Sequence, residues 1–334
     1  MELSELIGRV KGFEPERWLA LRAPYPPVAL QIDRDGILLV RAKRRRRALP
    51  LIEAVRSAPL EGMPASIFQA TTVGEDELAE RLKELFERSG TRPARVSLVL
   101  PDNLAKISLI TLPERPASRR QLDELVHAKM RRAVPFRLED ARLSYEVVPG
   151  NGRSVGVLIV VVRRNLIDRI ERGFDRIGAR VGLVDITTPN LLNLCRERLR
   201  VASDDDRDTA LLNCTPNYFS LVIVREGRLI FYRCKTYALD DGAPGPNGVF
   251  MREMANSLSY YREKLEGQGI GRLLVRASTP PIEEFEGRLR ELGCAEVEPI
   301  EPLAAVELGE GVRIEPEMSR RMSAAVGAAI SRGN

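Results

Sequence analysis

Two polar turns, each set between apolar strands, hold the residues of this chain best placed for chemistry. The first lies in Val28–Ala42, VALQIDRDGILLVRA, and the second in Leu212–Arg233, LNCTPNYFSLVIVREGRLIFYR. Asp33 and Asp35 put two carboxylates at the first turn, where Asp35-Gly36 is a strong two-residue hairpin signal. Glu226-Gly227 joins the two long strands of the second segment. Paired hairpins suit phosphate binding under two conditions. Glycines must let backbone N–H groups approach the phosphate oxygens, and carboxylates must hold the hydrated Mg²⁺ that neutralises them.

Other site chemistries find little support. His127 is the single histidine, so a His-rich metal site is excluded. A Ser-His-Asp triad would need it, but it falls in the helical pattern of Gln121–Arg132, reads as a surface or half-buried residue rather than a catalytic base, and has no G-x-S-x-G elbow beside it. Cys195, Cys214, Cys234 and Cys294 form no C-x-x-C pair and read as reduced, buried thiols of a cytosolic protein. No catalytic residue and no metal ligand set is assigned. The net charge of +5 is concentrated in Lys43, Arg44, Arg45, Arg46 and Arg47, a run suited either to phosphates of nucleic acid or an anionic membrane, or to a solvated loop. With 5% aromatic residues and none inside the run, a stacking platform for single strands is not supported.

The surrounding pattern is that of an α/β protein of two lobes. Of 334 residues, 44% are hydrophobic and 30% charged, an ordinary globular balance. The N-terminal MELSELIGRVKG lacks an apolar core with a cleavage site, which argues against a secretory signal. Leu3, Leu6, Ile7 and Val10 mark an amphipathic helix ahead of the stiff Pro24–Pro27 linker. Strands are predicted at Leu51–Arg56, Ser66–Gln69, Arg95–Leu100, Ala105–Leu112, Arg142–Val148, Arg180–Ile186, Ile270–Ala277 and Cys294–Val297. Val155–Val162, VGVLIVVV, is too short to span a bilayer and reads as a doubly buried strand.

Helices are predicted over Glu75–Ser89, Ser118–Arg132, Asn165–Ile177, Thr187–Arg200 (capped by Thr187 or Thr188), Phe250–Leu265, Ile282–Leu292 and Met318–Ile330. The acidic stretch Ser203–Asp206 is an exposed joint between the halves, and the loop Asp240–Gly248 is rich in Gly and Pro.

Three stretches in the same order resemble the PilM family, actin-like cytoplasmic proteins of type IV pilus assembly related to FtsA. They are RRQLDELVHAKMRRAVPFRLEDARLSYEVV (Arg119–Val148), VLIVVVRRNLIDRIERGFDRIGARVGLVDITTPNLLNL (Val157–Leu194) and LSYYREKLEGQGIGRLLV (Leu258–Val275). The resemblance covers about residues 26–334. It implies an actin-like, ribonuclease-H-like fold: residues 1–25 an appended helix and linker, 26–202 a first lobe with a subdomain inserted at about 94–180, 203–310 a second lobe, and 311–334 a helix returning to the first. It also implies a cytoplasmic protein at the periphery of the inner membrane. Its partners would be the N-terminal cytoplasmic peptide of a PilN-like membrane protein and the assembly ATPase, with self-association open. The related type II secretion platform shares the fold and is the alternative system.

Matched to the family, the nucleotide cleft is depleted. The first hairpin places Gln31 at a metal-orienting carboxylate and Asp33 at a phosphate-facing glycine, while Asp35 stands nearby. The second places Asn213 at a carboxylate and Thr215 at a glycine, and Pro216 removes a further N–H. Arg276-Ala277 falls on the glycine pair that receives adenosine. Losing several charge-assisted hydrogen bonds, each about 1.5–3 kcal/mol, leaves a very weak site. No cofactor is expected, with ATP and Mg²⁺ the alternative if Asp33 and Asp35 still serve. The strand Ala105–Leu112 and the helix Pro189–Leu199, with Leu191 and Leu192, are the candidates by position for the partner groove.

Overall fold

The computed structural model describes residues 25–150, 154–200, 207–237, 248–278 and 280–331. The helix predicted over Glu2–Lys11, the Ser203–Asp206 joint and all but the end of the Asp240–Gly248 loop lie outside them. Strands β1 (Val28–Asp33) and β2 (Gly36–Lys43) form an antiparallel hairpin in which Asp33 faces Gly36. Gly36 has φ +116°, and a Cβ there would meet Ala58 O at 2.3 Å, so only glycine closes this turn. β3 (Leu51–Ala58) continues the meander. Ser66–Gln69 is a turn rather than the predicted strand: Gln69 N–H donates to Ser66 O, and the Ser66 hydroxyl accepts from Phe68 N–H. These local bonds outcompete a ladder for so short a segment.

α1 (Glu75–Arg88) has three acidic residues in its first turn, favoured by the helix dipole, and buries Leu78, Leu82, Leu85 and Phe86. β4 (Arg95–Leu100) pairs in parallel with β1. After a 3-10 turn at Asp102–Leu104 come β5 (Ala105–Leu112), α2 (Arg119–Arg131), β6 (Ala141–Pro149) and β7 (Val155–Arg163). Ser118 Oγ caps α2 by accepting from Gln121 N–H. The three strands form a separate sheet in the order β5-β7-β6.

β7 is not doubly buried as predicted. Val157, Ile159 and Val161 are fully buried with Leu122, Val126 and Met130 of α2, whereas Leu158 and Val160 on the other face are half-buried. A single helix can cover only one face of the small sheet.

α3 (Arg164–Asp175) leads to β8 (Arg180–Ile186), parallel to β4. α4 (Thr187–Leu194) and α5 (Arg196–Arg200) replace one predicted helix. The break at Cys195 is a bend: Cys195 N–H still reaches Leu191 O, and Leu199 N–H reaches Cys195 O.

β9 (Asp208–Cys214), β10 (Tyr218–Arg225) and β11 (Arg228–Thr236) form a second antiparallel meander, so Leu212–Arg233 spans parts of three strands. α6 (Gly248–Lys264) precedes β12 (Ile270–Ala277), which lies parallel to β9. The helix predicted over Ile282–Leu292 is a 3-10 turn (Ile282–Glu284) followed by α7 (Glu286–Glu291). Between them Phe285 departs from helical geometry while its buried ring packs edge-on against Phe250, centroids 6.0 Å apart. β13 (Cys294–Pro299) follows β12 in parallel. β14 (Glu307–Leu308) and α8 (Pro316–Ile330) complete the described chain.

The large sheets share one plan. The first runs β14-β3-β2-β1-β4-β8 and the second β11-β10-β9-β12-β13. In each, a three-strand antiparallel meander is extended by two parallel strands beside its first strand. α8 crosses between them. Its buried Met322, Ala324, Ala325, Val326, Ala328 and Ala329 join a core with Leu38, Val40, Leu191, Leu211 and Leu274, residues of both sheets and α4.

Candidate functional site

The β1–β2 turn and the β9–β10 turn meet across a cleft of about 290 Å³. Gln31, Asp33 and Asp35 line it from one side, Thr215, Pro216 and Asn217 from the other, with Arg276 of β12 and Ser278 just after it. The topology accounts for the convergence: β1 and β9 are equivalent strands of the two sheets, and the hairpin turn that follows each lines the cleft.

Asp33 is the one partly buried acid at this place, and its oxygens are taken. Oδ2 accepts from Gln31 Nε2 at 2.8 Å and Oδ1 from Asp35 N–H at 2.9 Å. Arg321, reaching in from α8, lies 3.3 Å from Oδ1 and 3.9 Å from Asp35 Oδ2. A guanidinium of this protein thus stands beside the carboxylates that a hydrated metal would use.

Arg276 is equally committed. Its guanidinium donates to Asn213 Oδ1 at 3.1 Å and to the α8 carbonyls of Arg320 and Arg321, each at 3.3 Å. Pro216 has no N–H, and the Thr215 hydroxyl donates to Tyr218 O at 2.8 Å. Gln31, Asp33, Thr215 and Arg276 thus each meet a partner within the protein itself. Among the described residues no cluster of three metal-ligating side chains occurs anywhere.

Behind the cleft lies a polar centre that sequence reasoning missed. Asp102, fully buried, accepts from Thr188 N–H at 2.9 Å, the Thr188 hydroxyl, Ser220 Oγ at 2.7 Å and Asn213 Nδ2 at 3.1 Å. Burial pushes its carboxyl above the ordinary carboxylate range, while the donors around it pull the other way. The carboxylate does two jobs. It caps α4 from a distant part of the chain, in place of the predicted Thr187 or Thr188 cap, and it ties the first lobe to β9 and β10 of the second. Pro101-Asp102-Asn103 reads in sequence only as a turn between two strands, and Arg321 only as a polar residue of an Ala-rich helix.

The other predicted positions scatter. Asn213 is buried at Asp102 and does not line the cleft, and Ala277, paired with Cys214, is a core residue of β12. Of the groove candidates, Leu191 and Leu192 are interior, in one core with α8, which corrects their assignment as a docking surface. Pro189 and Leu112 are half-buried and Ala105 is buried, with β5 at an edge of the small sheet.

The basic run is not uniform either. Arg44 donates to Ala329 O and Tyr25 O, and Arg45 to Leu49 O and Glu307, so both fasten the loop to the body; Lys43, Arg46 and Arg47 are exposed. His127 is exposed on α2. Cys195 and Cys214 are buried free thiols that burial pushes up to about 12.

Two lobes of equivalent strand order, meeting at two hairpin turns, define the actin-like class of α/β fold. The profile of the family described as type IV pilus assembly protein PilM matches residues 29–240, and the chain belongs to that family. A solved PilM-PilN type IV pilus biogenesis complex is similar in fold, with a TM-score of 0.72 at 21% identity over 94% of this chain and 99% of the matched one. A Bacteroides thetaiotaomicron protein of actin-like ATPase fold and unknown function is similar at a TM-score of 0.51 and 12% identity, over 86% of this chain and 93% of that one. No curated protein matches the sequence. Among the described residues no helix is long and apolar enough to cross a membrane.

Proposed function

We propose that this chain is a scaffold of the type IV pilus platform at the inner membrane, binding the cytoplasmic N-terminal peptide of a PilN-like membrane protein without hydrolysing ATP. Membership of the PilM family and the likeness to a PilM-PilN complex support the partner. The observation that carries the non-hydrolysing part is the Asp33 carboxylate, whose oxygens are engaged by Gln31, the Asp35 N–H and Arg321. Titration with the N-terminal peptide of a PilN-like protein tests the partner: saturable binding is expected, and none at high micromolar peptide removes it.

Mg-ATP binding is the second reading, favoured by the presence of both Asp33 and Asp35 in the cleft lining. A ligand at a hundred times its Kd stabilises a protein by about 2.7 kcal/mol. The scaffold reading expects no rise in Tm with Mg-ATP. A rise that disappears in Asp33→Ala establishes the second reading instead.

A further inference from the structure

The end of the first sheet remote from the cleft carries a row of cations that the sequence scatters over 138 positions, from Lys43 to Arg180. Register aligns them. Lys43 ends β2 opposite Leu51, and next to it Ala42 N–H bonds to Pro27 O, just before β1. Ala29 of β1 is level with Ser97, which puts Arg95 at the height of Pro27, and Arg95 is paired with Arg180. Arg92 lies in the turn before β4, and Arg46 and Arg47 follow β2. From β2 to β8 this row crosses three strand spacings, about 14 Å.

All six side chains are exposed, and among the described residues none of them is in an ion pair. Two of the carboxylates at this end are already matched: Glu307 to Arg45 at 2.6 Å and Glu53 to Arg41 at 3.4 Å. Between the end of β2 and the turn before β4 opens a groove of about 630 Å³, with Arg41, Lys43, Arg95, Glu53 and Thr91 in its lining. Two large apolar side chains are exposed at the same end. Leu49, 46% exposed, sits in the loop after the arginines, and Leu308, 39% exposed, is paired with Ile52 on the outer strand.

We propose that this end of the first lobe docks directly on an anionic phospholipid bilayer, with headgroup phosphates at the Lys43–Arg95 groove and Leu49 in the interface. Unpaired cations beside exposed leucines fit a lipid surface, which offers both charge and apolar depth. A nucleic acid offers phosphates but no partner for the leucines, and among the described residues no exposed aromatic side chain stands at this end to stack on bases. The cleft and the small sheet remain on other sides of the lobe. The inference rests on the pilus-platform reading only for which membrane is meant.

The test is sedimentation of the full chain with vesicles of phosphatidylcholine alone or mixed with phosphatidylglycerol, at low and at elevated salt, without any peptide partner. Binding is expected only to the phosphatidylglycerol vesicles, weakening with salt. Each basic side chain near an anionic surface contributes about fivefold in affinity, so Lys43→Gln/Arg46→Gln/Arg47→Gln is expected to lose roughly a hundredfold. Leu49→Ser is expected to lose about tenfold. Lys129→Gln/Arg131→Gln/Arg132→Gln at the end of α2, likewise three exposed cations, is the control on another face and leaves binding unchanged.

Equal binding to both vesicle types, or wild-type binding by the triple variant, overturns the proposal. So does tighter binding to a DNA duplex that the triple variant loses and Leu49→Ser keeps. Titration of the same variants with the PilN-like peptide separates this outcome from failure of the scaffold reading.

Discussion

Asp185 shows how one buried carboxylate couples a linker to the core. It accepts from Tyr25 OH at 2.7 Å, from Asn190 Nδ2 at 2.9 Å and from Ile186 N–H at 2.8 Å, yet burial pushes its pKa to about 6. Between an ordinary value near 3.8 and about 6, the folded state holds a proton that the unfolded chain has released. The stability from this group is therefore full below about pH 4 and lost as pH rises through about 6, a difference of roughly 3 kcal/mol. Urea melts from pH 4 to 7 are expected to show that fall, and Asp185→Asn to flatten it. Asp102, shifted in the same direction, leaves a residual slope.

Asp102→Ala strands the Thr188, Ser220 and Asn213 donors together. A loss of about 3 kcal/mol or more is expected in denaturant melts. None of this was visible in the sequence, because the partners of Asp102 lie 86 to 118 positions away.

At the scale of elements, α8 is held by closeness of approach. A Cβ on Gly327 would meet Asn190 O of α4 at 2.0 Å. Gly→Ala inside a helix ordinarily gains up to about 1 kcal/mol. Here the backbone contact reverses the sign, and Gly327→Ala is expected to lower stability by about 1–3 kcal/mol. Thermal unfolding of this variant beside Gly287→Ala, where nothing lies within 4 Å of the added Cβ, checks it.

Elements with strong local signals were legible. The Asp35-Gly36 hairpin and the helices α1, α2 and α3 follow from spacing and turn chemistry alone. Ser66–Gln69, the bend at Cys195 and the break at Phe285 were not. In each, a side chain or backbone group takes its partner from a neighbour in space or from a competing local bond.

Across the whole molecule, the lobes are joined at and behind the cleft by the protein's own groups. Arg321 meets Asp33, Arg276 meets α8, and Asp102 meets β9 and β10. Arg321→Ala removes a cation from a partly buried pair and is expected to cost about 1 kcal/mol, read by thermal unfolding. In the scaffold reading it does not create a Tm response to Mg-ATP, since Gln31 and Asn213 still lack the carboxylate charge.

The sequence by itself determined the α/β class, the two hairpins and the residue types at their turns, because these depend on periodicity, turn propensity and spacing along the chain. Asp33, Asp35 and Thr215 were nominated from those turns, and the folded chain does bring them to one cleft. Only the tertiary structure decided what their polar groups do: Asp33 is paired with Arg321 and accepts from Gln31, Asn213 is turned to Asp102, and Leu191 and Leu192 are closed off under α8. It also split the Lys43–Arg47 run, turning Arg44 and Arg45 inward and aligning Lys43 with Arg95 and Arg180. Charge pairing and burial depend on distances in space, and sheet register and helix docking set those distances.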